Sequence, residues 1–192
     1  MNRSNFLWMA TFFEGGLVVL AYLIGWWADV DPLAAFHWKV EAISLGLLGT
    51  LPLLAFFGVT YRLSVPQLEN IKRLLIDTLG PLLSACRWYE LIYVAFLAGG
   101  CEEVLFRGVL QPWFESLWGW WPGLIVSNLL FGLAHSVTPT YTLLAALTGM
   151  YLGWTLDAGS ERNLLVPIIV HAVYDLAAFL IVVAAYRAER SA

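Results

Sequence analysis

Apolar residues dominate the chain in six blocks, at about 6–28, 40–60, 87–110, 120–136, 140–157 and 164–186, with short polar stretches between them. A run of about 20 apolar residues is long enough to cross a bilayer as a helix. The fourth and fifth blocks are short, so they tilt little or enter only partly. Trp26, Trp27, Trp38, Trp113, Trp118, Trp120 and Trp121 cluster at the proposed ends, where tryptophan favours the interface. Residues 64–80 break the pattern. Leu68, Ile71, Leu74, Leu75 and Leu79 recur at helical spacing, while Glu69, Lys72, Arg73 and Asp77 take the other face. Ser64 can cap this helix, Pro66 suits its first turn, and Gly80-Pro81 ends it. It reads as an amphipathic helix on a membrane face; a solvated connector helix fits as well. The pattern predicts an all-α polytopic transmembrane bundle of about six segments plus one amphipathic interfacial helix, in a single transmembrane domain over residues 1–192.

Composition agrees. The 192 residues are 60% hydrophobic and 12% charged, with mean hydropathy +0.75; a soluble domain is about 25% charged. The net charge of -4 says little about partners, but the lack of a basic tract argues against nucleic acid. Cys86 and Cys101 do not suggest a disulfide framework. The first block follows Arg3 and runs for about 23 residues, longer than a signal-peptide core, and is read as a retained helix. Glu14 within it faces a neighbouring helix or an interface. With the N-terminus inside, Arg3, Arg62, Lys72, Arg73, Arg87, Arg187 and Arg190 fall on the inner side, and Lys39 and Arg162 on the outer. The positive-inside rule then puts both termini in the cytoplasm of a cell-membrane protein.

The third block carries the chemistry. Gly99-Gly100-Cys101-Glu102-Glu103-Val104-Leu105-Phe106-Arg107 sets two carboxylates and a guanidinium in an apolar segment, where ionised groups are expensive and rarely kept without a use. Glu103 and Arg107 are four apart and share a helix face, so they can pair. Glu102 points about 100° away, without that partner, and is freer to act as a base. Gly99 and Gly100 leave a notch for a backbone or a substrate. A buried charge cluster that locks helices together would show the same residues. In the fourth block Asn128, Phe131 and His135 lie near one face; a lone histidine at a helix end also serves structurally. In the last block His171 and Asp175 are four apart, which suits either a self-satisfied pair or two groups aimed at a shared cavity.

Taken together, Glu102-Glu103-x-x-x-Arg107, Phe131-x-x-x-His135 and His171-x-x-x-Asp175 resemble the three motifs of the CAAX protease and bacteriocin-processing family. These are intramembrane glutamic endopeptidases related to the Ras-converting enzyme. The resemblance covers a catalytic core of about 87–186, including Arg162-Asn163-Leu164-Leu165 before the last helix; the N-terminal third carries no matching motif. It implies Glu102 as the base that activates water and His135 as the group that holds and polarises it. His171 and Asp175 fall at the oxyanion-stabilising positions. Glu103 and Arg107, with Asn128 and Phe131 nearby, support the site. Water then attacks a peptide carbonyl directly, with no cofactor and no metal. The partners implied are a peptide or protein substrate, which membrane anchoring would suit, and the lipid bilayer. Asp175 stands where asparagine is commoner. An ionised aspartate cannot donate to an oxyanion, so Asp175 is either protonated or an acceptor that orients His171, and the four-residue spacing favours orientation.

Rival readings remain. A zinc protease could use Glu102, His135 and His171 as ligands, although His-Glu-x-x-His is missing. Cys101 as a nucleophile is disfavoured by its apolar surroundings, and core packing suits it better. A non-catalytic scaffold or immunity factor would tolerate loss of Glu102. A transporter would also use intramembrane acids, but the chain is small and shows no repeat.

Overall fold

A computed structural model describes residues 2–191, and in it all six apolar blocks are helical. Helix α1 (Arg3–Ala28) is capped by Asn2, whose side chain accepts from the Asn5 N–H at 2.8 Å. α2 spans Val40–Arg62 and α3 Pro66–Ser84. α4 (Trp88–Leu105) continues through one π-helical turn (Phe106–Leu110) into α5 (Gln111–Trp118). Gly119, at φ 88°, reverses the chain into α6 (Trp120–Ala134). α7 (Pro139–Thr155) and α8 (Leu165–Ser191) follow. Asn163 starts α8, its Oδ1 accepting from the Leu165 N–H at 3.0 Å.

α1, α2 and α8 are long and apolar enough to cross a bilayer. α6 and α7, with 15 and 17 residues, rise only about 22 and 26 Å, short of the ~30 Å hydrocarbon core. Their hairpin therefore stops inside the bundle, and α3 lies under its tip, with Ile71, Leu74 and Leu75 facing Val137, Thr138 and Tyr141.

α8 is the hub. It packs on α4, α2 and α3. Leu152, Val166 and Val170 fill its contact with α2 and α7, while Leu83, Leu91 and Val183 fill the lower contact with α3 and α4. A third cluster around Leu105, Val109, Phe131 and Leu164 surrounds the π-helical turn.

The ends of α3 differ from the expectation. Its N-cap is Val65, with no side-chain cap, so Ser64 does not serve. Gly80-Pro81 does not end it, and the helix runs on to Ser84. Packing overrides the breaker: Tyr186 of α8 sits 2.8 Å from where a Gly80 Cβ would be, and Leu83, 1% exposed, continues the contact. Pro81 itself is exposed, so its ring meets no neighbouring helix.

At the opposite end, Arg162 fastens the loop before α8 to α5, donating to Glu115 at 2.6 Å and to Asp157 at 2.7 Å. Trp120 donates to the other Asp157 oxygen at 2.9 Å. Partial burial pushes the Asp157 carboxyl up, but the hydrogen bonds from Arg162 and Trp120 outweigh it and hold the group below its ordinary 3.8. The Asp157 hydrogen bond in turn raises the Arg162 guanidinium.

Candidate active site

The motif residues come from three helices and meet inside the bundle. Gly99 makes the first approach possible. A Cβ there would lie 2.8 Å from the Ala172 backbone nitrogen, so only glycine lets α8 come this close to α4. That contact brings His171 beside Glu103. Its Nδ1 lies 2.8 Å from Glu103 Oε1; a carboxylate accepts, so Nδ1 carries the hydrogen. The other nitrogen, Nε2, faces Asp175 Oδ2 at 3.6 Å. The tight partner of His171 is thus Glu103, and Asp175 stands one step back.

Glu103 and Arg107 are sealed from solvent at 0% and 1% exposure. The guanidinium makes three hydrogen bonds through its terminal nitrogens, while its Nε has no partner among the described residues. Nη1 donates to Glu103 Oε1 at 2.9 Å, and Nη2 donates to Asn128 Oδ1 and to the Gly149 carbonyl, both at 2.7 Å. Its plane lies over Phe131, 4.6 Å from the ring centroid. A Cβ on Gly149 would lie 2.7 Å from Asn128 Oδ1 and 3.1 Å from Arg107 Nη2, so a glycine is required where α7 crosses. Glu103, Arg107, Asn128 and His171 form one buried polar frame.

Glu102 turns away from that frame, 9% exposed. Its Oε2 has no hydrogen bond and lies 3.5 Å from His135 Nε2. His135 caps the end of α6. Its ring stacks on Phe131 at 4.4 Å, and its Nδ1 lies 2.9 Å from the Phe131 carbonyl. A carbonyl only accepts, so Nδ1 carries the hydrogen and Nε2 presents a lone pair when the ring is neutral. Glu102 and His135 therefore offer two acceptors side by side, an arrangement suited to a water molecule with two O–H bonds to give.

The sequence-predicted residues are linked by contacts: Glu102 with His135, His171 with Glu103 and Asp175, and Arg107 with Glu103, Asn128 and Phe131. Cys101 is a free thiol and half-buried rather than fully packed in the core. The described histidine, cysteine and acidic side chains form no group of three or more spaced to hold a metal ion.

Three features escaped the sequence reading. The π-helical turn at Phe106–Leu110 carries Arg107; π turns recur at functional sites, but no residue pattern marks this one. Gln111, wholly buried on the next turn, donates to Glu115 at 2.9 Å and to the Gly153 carbonyl at 3.2 Å, extending the polar frame toward Arg162. Glu14 of α1 lies partly buried, with its Oε2 enclosed and without a hydrogen-bond partner among the described residues.

A cavity of about 170 Å³ opens between α2, α3, α7 and α8. Its walls are apolar, among them Phe57, Leu75, Leu144 and Phe179, with Tyr141 and Tyr174 near Asp175 and Lys72 also lining it.

Known proteins match the part of the chain that holds this site. Residues 84–177 match the family described as type II CAAX prenyl endopeptidase Rce1-like. A protein of Escherichia coli described as an uncharacterized 24.3 kDa protein is 34% identical over 83 residues. The match covers 42% of this chain and 38% of that protein, well under half the relative's length. No solved structure matches significantly.

Proposed function

Residues 84–177 belong to the Rce1-like type II CAAX prenyl endopeptidase family, and from that premise we propose that this protein is an intramembrane endopeptidase in which Glu102 activates water. The observation that carries the reading is the meeting of Glu102 with His135, 3.5 Å apart, beside the His171–Asp175 pair, from three separate helices. Such groups stranded singly in lipid would each cost about 2.5–3.5 kcal/mol on insertion scales.

The mechanism follows from the proton positions. A water donates one O–H to Glu102 and the other to His135 Nε2. Glu102 takes a proton as the oxygen attacks the peptide carbonyl, then returns it to the departing amine. The developing oxyanion needs donors. Because His171 already gives Nδ1–H to Glu103, its Nε2 donates only as the imidazolium, with Glu103 and Asp175 as counter-charges. Asp175 serves as that counter-charge and as an orienting acceptor. Arg107, Asn128 and Phe131 hold Glu103 and His135 in place. Apolar residues of the substrate next to the cleaved bond occupy the cavity that reaches Asp175. The substrate is a peptide or protein, membrane-anchored or membrane-embedded, and the enzyme resides in the cell membrane with both termini cytoplasmic.

Comparative proteomics of wild-type and Glu102→Gln membranes tests the reading. An uncleaved precursor accumulating in the variant, at equal protein abundance, is the expected result. Identical peptide profiles would remove Glu102 as the base.

A further inference from the structure

The cavity that reaches Asp175 is long rather than round. On α8 its lining runs from Tyr174 to Ala185, a rise of about 16 Å, so it leads from the His171–Asp175 pair toward the end of that helix. An extended peptide advances about 3.3 Å per residue, so about four or five residues span it. The walls are mostly apolar, and most polar groups among them are engaged. Thr60 donates to the Phe56 carbonyl at 3.0 Å, and Lys72 donates to Glu69 at 2.8 Å. Asp175 faces His171. Tyr61 lies under the Lys72 ammonium, next to the exposed Arg62 that ends α2.

Two phenols nearer the site are not engaged. Tyr141, in the first turn of α7, and Tyr174, beside Asp175 on α8, both line the cavity. Their places are fixed. Thr138 Oγ1 accepts the Tyr141 N–H at 3.1 Å, and the Tyr174 ring meets Phe57 edge-on, 5.9 Å between centroids. Neither hydroxyl has a hydrogen-bond partner among the described residues, and neither oxygen is enclosed by protein. A tyrosine buried this far normally gives its O–H to a partner. Donors left free among apolar walls at membrane depth are costly. A peptide brought to the site has the converse need, because its backbone carbonyls leave water and require donors.

We infer that Tyr141 and Tyr174 are substrate-binding residues whose hydroxyls donate to backbone carbonyls of an extended stretch of substrate, lying in this cavity beside the cleaved bond. This rests on the endopeptidase reading of the site. The phenols take no part in the proton transfers. They grip main chain, so they require the substrate to be unwound there; in a helix those carbonyls already accept from N–H groups. They also leave the identity of its apolar side chains loosely specified. An alkyl chain has no acceptor to offer them, so the cavity suits peptide.

The test uses the purified full-length protein in detergent micelles. A randomised peptide library, read by mass spectrometry, first supplies a cleaved sequence. Esters then replace its backbone amides one at a time on either side of the cleaved bond, which weakens each carbonyl as an acceptor and leaves the side chains unchanged. Wild type should lose about fivefold in kcat/KM at one or two of these positions, the size of one hydrogen bond. Y141F and Y174F should each raise KM by about fivefold with kcat nearly unchanged. In each variant the ester at its matched position should cost nothing more, a non-additivity that a merely structural role would not produce. Neither hydroxyl has a protein partner to lose, so both variants should melt like wild type, and either one alone carries the test. A wild type with no ester-sensitive position, or ester penalties undiminished in the Phe variants, overturns this inference and leaves the endopeptidase reading intact. Competitive inhibition by a long-chain fatty acid, with the Phe variants cleaving like wild type, gives the cavity to an alkyl chain and overturns it too. A wild type that cleaves nothing in the library overturns both.

Discussion

Two neighbouring glutamates do different work because one has a cation and the other does not. Glu103 is sealed against Arg107 and His171, whereas Glu102 faces His135 with a free oxygen. Glu102→Gln should abolish precursor cleavage and leave abundance unchanged. Glu103→Gln should lower both, because removing one partner of a buried ion pair strands the other charge at a cost of about 3–5 kcal/mol. Quantitative immunoblots paired with precursor proteomics decide it, and like behaviour of the two variants would sink this division of labour. The donor set also makes a prediction about metal. Glu102 and His135 suffice to hold a water, so cleavage should survive exhaustive chelation. Loss of activity on chelation, restored by stoichiometric zinc, would replace the carboxylate mechanism with a metal one.

Helices place these residues through close crossings that only glycine permits. Gly149→Ala should drive a methyl into Asn128 and Arg107 and cost about 1–3 kcal/mol, as overpacking does. Gly100→Ala, with nothing within 4 Å, serves as the control and should melt like wild type or slightly higher. Equal melting temperatures for the two variants would mean that the α7 crossing is not tight. The outer staple adds a pH dependence. Asp157 is held below its ordinary 3.8, so its contribution is present above about pH 4 and fades as pH falls through the depressed value. Wild type should melt above Asp157→Asn at neutral pH, and the gap should narrow below pH 4; a gap that widens in acid would refute the staple. The helices and the three polar motifs were legible in the sequence because apolar length and four-residue spacing are local signals. The continuation of α3 past Gly80-Pro81 was not, since it depends on Tyr186 in a distant helix. The π-helical turn and the enclosure of the Glu14 carboxyl were hidden likewise, because no residue pattern nearby in the chain marks either.

At the scale of the whole molecule, the charges sort by end. Arg3 pairs with Glu90 at the start of α4, and Arg187 donates to the Ser84 carbonyl at the end of α3. The start of α1, the end of α3 and the end of α8 are thereby gathered on one side, with exposed Arg62, Arg73 and Arg87 on the loops and helix ends nearby. The other side holds Lys39, paired with Glu161, and Arg162, engaged by Glu115 and Asp157, together with the exposed Trp26, Trp38 and Trp121. The first face holds Arg3, Arg62, Lys72, Arg73, Arg87, Arg187 and Arg190 against Lys39 and Arg162 on the other, and such a Lys/Arg excess orients helical membrane proteins with the cation-rich face inside. Both termini should therefore be cytoplasmic. Single cysteines at Ser4 and Ser160, in a background with Cys86 and Cys101 replaced, should divide cleanly in intact cells. A membrane-impermeant thiol reagent should label the Ser160 position and spare the Ser4 position until the membrane is opened. Labelling at the Ser4 position in sealed cells would invert the protein and put the α3 face of the bundle, which lies under the hairpin tip, outside the cell.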